Sequence, residues 1–236
     1  MEAETFNTQE VFTDFMKCDN DMERFLWIEN TLQKNGIEYE FQSFESFSNI
    51  ICRGTSKVWV SAHFDTIHIE NCANDNSASI INLIHLKKIM PEINVVFLDA
   101  EEPPMMGLGS THFSKYLKET IKDFSYVINM ELTGYGNCVC LGSRGGKSRD
   151  FLDKQFLNKD DFYISEVTTP FSDTDIFLKN GIDSTLLMLL PSKEAKVLTE
   201  SMYHCHTAKD TFDKMDFSVM DMLVKNLKEI LTGEEI

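Results

Sequence analysis

The sequence predicts an α/β protein with a central, largely parallel β-sheet covered by helices on both faces. Two short runs carry that prediction. Ile93-Asn94-Val95-Val96-Phe97-Leu98 and Tyr126-Val127-Ile128-Asn129-Met130 are almost continuously apolar, as strands buried on both faces are. A third stretch, Ser77 to Met90, is long, apolar and basic at its end, as a buried helix is near its C-terminus. Strands interleaved with helices of this kind form a sheet with helical layers on both sides.

The elements follow in order. Met22 to Leu32 has helical apolar spacing and stops at Gly36, a residue suited to close a helix. Strand-like runs come next at Ile37 to Phe44, Ser48 to Cys52 and Lys57 to Ala62, the last delivering His63. The helix Ser77 to Met90 ends at Pro91, and the strand Ile93 to Leu98 empties into Asp99-Ala100-Glu101-Glu102. After a helix from about Ser110 to Ile121, the strand Tyr126 to Met130 empties into Glu131. Further strands are expected at Cys138 to Leu141, Tyr163 to Val167 and Thr185 to Leu190. The remaining helices fall at Lys147 to Leu157, Asp175 to Lys179 and Phe217 to Leu231. No repeat or linker interrupts the chain, so residues 1–236 read as one domain.

Composition removes several classes of function. Acidic residues outnumber basic ones 38 to 22, for a formal charge of −16, so the protein's field repels phosphate backbones and attracts cations and amines. Nucleic acid is not an expected partner. The longest aliphatic run, Leu186 to Leu190, is far shorter than the roughly 20 residues that span a bilayer. The acidic start Met1-Glu2-Ala3-Glu4-Thr5 leads into no apolar signal core, and the six cysteines follow no Cys-x-x-Cys zinc spacing. The expected location is the cytoplasm, with reduced, mostly buried thiols.

In open α/β sheets ligands bind beyond the carboxyl ends of the strands. Three apolar strands end in His63, in Glu101-Glu102 and in Glu131. Asp75 opens the helix after the first of them, and His206 lies in the polar loop after the last core strand. With Asp65, that gathers five carboxylates and two imidazoles at one rim. Such a cluster repels itself unless positive charge sits within it, and a pair of divalent cations supplies that charge. Mixed imidazole and carboxylate donors suit Zn²⁺ best, with Mn²⁺ or Co²⁺ as substitutes. Two ions about 3.5–4 Å apart share a bridging carboxylate and a water. The adjacent glutamates divide the work: one binds metal while its neighbour takes the water's proton.

Six motifs in order are His63-Phe64-Asp65; Ala73 to Ser77; Glu101-Glu102 followed by Gly109-Ser110; Met130 to Tyr135; Ser172-Asp173 with Gly181-Ile182; and His206-Thr207 with Asp210-Thr211. Together, over roughly residues 20 to 230, they resemble the M28 family of co-catalytic zinc aminopeptidases. The resemblance implies a three-layer α/β/α sandwich with a mixed, mostly parallel sheet. It also implies that Asp75 bridges two zinc ions, that His63 and Glu131 complete one site, and that Glu102 and His206 complete the other. Glu101 would be the general base, and Asp65 would orient His63. Two departures concern the site. The family usually has Asp where Glu131 stands, Glu being common there in carboxypeptidases and deacylases of the same clan. The run Pro103 to Leu108 is longer than usual and led by prolines.

The implied activity is removal of an N-terminal residue from a small peptide. The alternatives are a carboxypeptidase or N-acyl-amino-acid deacylase of the same clan, and a glutaminyl-cyclase-like acyltransferase, which uses one zinc ion and would not need His63. A binding module that kept the fold without the chemistry is opposed by the intact Glu101. Phe171, Met202 and Tyr203 are read as a substrate side-chain pocket or as core. Arg144 is read as the partner of a substrate carboxylate or as a solvated loop residue. His68 is a candidate for the pocket entrance, and His85 and His112 are read as structural or solvent-facing. His204 and Cys205, flanking His206, are candidates to touch substrate, Cys205 being read first as a packing residue.

Overall fold

The computed structural model describes residues 6–67, 72–169, 171–191 and 204–232. The chain opens with α1 (Thr8–Phe15), which the sequence reading leaves unrecognised. It is only two turns long and is stabilised by its cap, where the Asn7 side chain accepts the Glu10 N–H, and by Phe12 and Phe15, both wholly buried. In α2 (Asp21–Lys34), Asn20 caps the first turn, and Arg24, Ile28 and Leu32 recur every fourth residue on the buried face. Gly36, at φ +67°, closes it: Gly36 N–H bonds to Gln33 C=O and Ile37 N–H to Leu32 C=O. That closure uses Ile37, so β1 (Glu40–Phe44) starts later than the apolar run suggests.

The hairpin partner β2 (Phe47–Cys52) is followed by β3 (Val58–His63), the turn Ala73–Ser77 and α3 (Ala78–Ile89). Then come β4 (Asn94–Leu98), α4 (Leu108–Tyr116), β5 (Tyr126–Met130), β6 (Cys138–Gly142) and α5 (Lys147–Phe156). The chain continues through β7 (Tyr163–Val167), α6 (Asp173–Lys179), β8 (Ser184–Leu190) and α7 (Phe217–Thr232). The helix α6 starts two residues before its expected position, because Ser172 and Asp175 form a reciprocal capping box at its N-terminus.

All eight strands form one mixed sheet in the order β1-β2-β4-β3-β5-β8-β6-β7. The pairs β3–β4, β3–β5, β5–β8 and β6–β7 are parallel, and β1–β2, β2–β4 and β6–β8 are antiparallel. Alternate strand residues supply two cores. Val58, Val60, Val95, Phe97 and Ile128 pack with α1, α2, α3, α5 and α7, whereas Trp59, Val96, Leu98 and Val127 pack with Phe113 of α4 and Phe177 of α6. The result is a three-layer α/β/α sandwich. No described helix is long and apolar enough to cross a membrane.

Pairing of β3 with its two parallel neighbours positions the site. His63 is level with Leu98 of β4, and Ser61 is level with Asn129 of β5, so each strand releases its polar residues at the same edge of the sheet. Several residues at this edge adopt a left-handed backbone without being glycine: Cys72, Ala100, Leu132 and His206, with φ between +52° and +58°. Such conformations persist where surrounding structure enforces them, and they concentrate at functional sites.

Candidate metal centre

Asp75 lies at the middle of the cluster. Its Oδ1 is 3.4 Å from Nε2 of His63 and its Oδ2 is 3.2 Å from Nε2 of His206. Glu102 Oε1 stands 2.9 Å from the same His206 nitrogen. Glu101 is set back, its Oε2 4.0 Å from His63 Nε2. Glu131 is buried at the end of β5, where Asn129 Nδ2 donates to its Oε1 at 2.7 Å and Asn129 Oδ1 accepts from Ser61.

Backbone anchors hold these side chains. Asp65 accepts the N–H groups of Glu101 (3.1 Å) and Glu102 (2.9 Å) on its two carboxylate oxygens, and it also faces His63 Nδ1, with its carbonyl oxygen at 3.2 Å and Oδ1 at 3.5 Å. One residue therefore orients both the first imidazole and the glutamate pair. A proton on Nδ1, directed at Asp65, leaves Nε2 as the donor facing Asp75. Asp210 plays the same part on the other side, accepting the N–H groups of Asn74 (2.7 Å) and Asp75 (2.9 Å). The Asp75–Asn76 peptide is cis, and Asn76 donates to Met130 C=O.

The electrostatics are those of a cluster short of positive charge. Burial, with Asp173, Glu131 and Glu102 nearby, raises the Glu101 carboxyl well above its usual range. Burial likewise pushes Glu131 up to about 8 and Asp173 up to about 6. The imidazoles respond in the opposite sense. Bonds to Asp75 and Glu102 push His206 up to about 10. Burial alone would depress His63, but Glu101, Asp65 and Asp75 outweigh it and raise it well above its ordinary value. Despite burial, contacts with His206 and His63 hold Asp75 low. The two imidazoles thus hold their protons more tightly among these carboxylates, a demand for positive charge that bound metal would also meet.

Two overlapping sets of donors could hold a metal ion, and Glu131 is in neither. His63, Asp75 and Glu102 form one group whose ligand atoms all lie within 4.8 Å of one another, and Asp75, Cys205 and His206 form another. Asp173 is wholly buried beside them, and the nearby Ser110 hydroxyl favours its charged form. The cluster opens into a cavity of about 270 Å³ whose other walls include Met106, Leu132, Thr169, Phe171 and Met188. A larger groove of about 810 Å³ runs along α1 and α2 and contains neither donor group.

The structure thus brings His63, Asp65, Asp75, Glu101, Glu102, Glu131 and His206 to one rim and Phe171 to the cavity wall. It does not bring Arg144 there. The Arg144 guanidinium pairs with Asp175 (2.6 Å) and donates to Thr169 C=O (3.0 Å). Tyr203, Met202 and His68 lie outside the described residues. His85 stacks on Phe6 and His112 on Phe44. Cys205 packs near Leu132 and Met188, as a packing residue does, and its Sγ also lies 2.6 Å from Asp75 Oδ2. Asp210 and Asp173 stand at the site, and sequence reasoning gave them no role. Both belong to motifs visible in the chain, and the signal was their spacing from His206 and Gly181.

Fold and site together define an α/β protein of the zinc-peptidase-like class, with a buried donor cluster at the carboxyl edge of its sheet. The chain belongs to peptidase family M28, whose profile matches residues 50–231. Among solved structures it is similar to the LapA aminopeptidase of Legionella pneumophila, with a TM-score of 0.78 at 13% identity, covering 95% of this chain and 70% of that one. It is also similar to the glutaminyl cyclase of Porphyromonas gingivalis, with a TM-score of 0.77 at 18% identity over 98% and 99% of the two chains. BSAP, a zinc aminopeptidase from Bacillus subtilis, gives a TM-score of 0.65 at 20% identity over 78% and 49%. At these identities the likenesses show the fold. No curated protein sequence matches the chain.

Proposed function

We propose that the chain is a two-metal exopeptidase of aminopeptidase type that removes the N-terminal residue of small peptides. The observation that carries this reading is the Asp75 carboxylate, which presents one oxygen to His63 at 3.4 Å and the other to His206 at 3.2 Å, the arrangement a bridging ligand needs. His63 with Glu131, and His206 with Glu102, would hold the two ions, zinc being the best match to these donors and Mn²⁺ or Co²⁺ the substitutes. Bound there, the ions supply an activated water and polarise the scissile carbonyl.

The remaining work falls to side chains. Glu101 takes the water's proton on its carboxylate and returns it to the departing amine nitrogen. The carboxylates around the cavity give it the negative field that a substrate α-ammonium group would meet. Leu132, Phe171 and Met188 provide an apolar wall for the side chain of the residue removed. With its guanidinium engaged by Asp175, Arg144 lends no support to a carboxypeptidase reading. We place the activity in the cytoplasm, where the six free cysteines would stay reduced; recovery of the protein from an extracytoplasmic fraction would overturn that placement.

A one-metal, glutaminyl-cyclase-like activity is the second reading. It is favoured because Asp75, Glu102 and His206 converge more tightly than the His63 and Glu131 side, where Asn129 already occupies one Glu131 oxygen. One experiment separates the two. The zinc-loaded protein is given unblocked dipeptides and peptides with N-terminal glutamine, and its metal content is measured. Free amino acids with two ions per chain support the first reading. Ammonia and a cyclised N-terminus with one ion per chain overturn it in favour of the second.

A further inference from the structure

Cys205 belongs to the cluster by geometry as well as by sequence. We propose that its sulfur is a direct ligand of the ion held by Asp75 and His206, so that this half of the centre carries a thiolate and is selective for thiophilic divalent ions. The inference rests on the metal-centre reading above.

Consecutive residues in extended chain point to opposite sides. At His206 the backbone is left-handed, at φ +58°, and both side chains face Asp75. Sulfur and oxygen donors on one tetrahedral zinc ion stand about 3.5 Å apart, given bonds of roughly 2.3 and 2.0 Å. Cys205 Sγ and His206 Nε2 lie 2.6 and 3.2 Å from Asp75 Oδ2, so an ion bound to that oxygen has both within reach once the thiol moves outward by about 1 Å. Cys205 is half-buried on a turn, packed against the cluster that includes Leu132 and Met188.

A second observation, independent of the cysteine, also calls for a cation. Asp75 also belongs to a second donor group, His63, Asp75 and Glu102, whose ligand atoms all lie within 4.8 Å of one another, so the carboxylate beside Cys205 is one that two donor groups share. On ligation the S–H bond is replaced by a metal–sulfur bond, and the proton leaves to the buffer. A sulfur donor favours Zn²⁺, Cd²⁺ and Co²⁺ over Mn²⁺ and Mg²⁺.

Cobalt reports the bond directly. The metal-free, full-length protein is titrated with Co²⁺, and its absorption is followed in the visible and near-ultraviolet. The expected result is visible ligand-field bands together with a near-ultraviolet sulfur-to-cobalt charge-transfer band. That band should vanish in Cys205→Ser and Cys205→Ala while the visible bands persist. Visible bands without charge transfer in the unmodified protein would overturn the sulfur ligand and leave the metal centre standing. So would a charge-transfer band that survives both substitutions. Failure to bind Co²⁺ at all would overturn both readings. The unmodified protein's spectrum is decisive even if a variant folds poorly.

Discussion

Glu101 and Glu102 are adjacent, yet Glu102 reaches within 2.9 Å of His206 while Glu101 stays 4.0 Å from His63. On the proposed reading Glu102 binds metal and Glu101 transfers the proton, in keeping with these distances. Glu101→Gln should therefore keep its metal and lose turnover by about 10²–10⁴-fold, while Glu102→Gln should lose metal as well. Metal analysis beside steady-state kinetics checks this, and the reverse pattern would exchange the two roles. The titration of the cluster gives a second prediction. In the metal-free chain His206 is raised to about 10 and Glu131 to about 8. Both groups are raised, so the stability they contribute is complete below their unfolded values, about 6.5 and 4.3, and is lost as pH rises through the folded ones. The chelated protein should melt at progressively lower temperature from about pH 5 to pH 9. Metal has to displace the His206 proton, so metal affinity should strengthen over the same interval, with proton release visible by calorimetry in buffers of different ionisation heat. A flat melting profile would show that these groups do not titrate on folding.

At the scale of elements, the site depends on how strand exits and helix starts are tied together. Asp210 accepts the N–H groups of Asn74 and Asp75, fixing the turn that enters α3. Asp210→Ala would leave two buried donors unpaired, at a cost of about 1–3 kcal/mol each, and should lower metal affinity roughly 10–100-fold by releasing Asp75. Urea unfolding and metal titration read the two effects separately; if neither moves, the turn is held by other bonds. Gly109, in the first turn of α4, lies against the exit of β4. A Cβ there would stand 2.0 Å from Asp99 O and 2.7 Å from Asn49 Oδ1. Gly109→Ala should force the helix away from the strand that carries Glu101 and Glu102, destabilising by about 1–3 kcal/mol and lowering activity with it. An active variant of unchanged stability would show that this contact yields without consequence.

Over the whole molecule, binding to the folded state alone adds stability. With free zinc at 100 times its dissociation constant, each occupied site adds about 2.7 kcal/mol, which for a chain of this length raises the melting temperature by roughly 5–10 °C. Thermal scans with zinc and with a chelator should differ by that amount per site, and titration should end at two ions per chain. A transition indifferent to chelation would separate the cluster from metal altogether. The net charge of −16 adds a bias in the same direction, drawing cations and the ammonium end of a peptide toward the protein.

What the sequence determined by itself was local and periodic. The runs Val95 to Leu98 and Val127 to Met130 had to be buried strands, because continuous apolar side chains need cover on both faces. His63, Glu101, Glu102 and Glu131 follow such runs directly, so their place at the sheet's carboxyl edge was legible before any coordinates. Other features were not. Helix α1 is too short to persist on propensity and forms because Phe12 and Phe15 find the core between α3 and α7. The order β1-β2-β4-β3-β5-β8-β6-β7 rests on pairing between distant segments, as do the bonds from Asp65 to Glu101 and from Asp210 to Asp75. Arg144 met Asp175 rather than an open pocket, and Cys205 met Asp75 rather than only its apolar neighbours. Periodicity records which face of an element is buried, while the partner on that face is chosen by chain that lies tens to more than a hundred residues away, and only the tertiary structure brings that chain near.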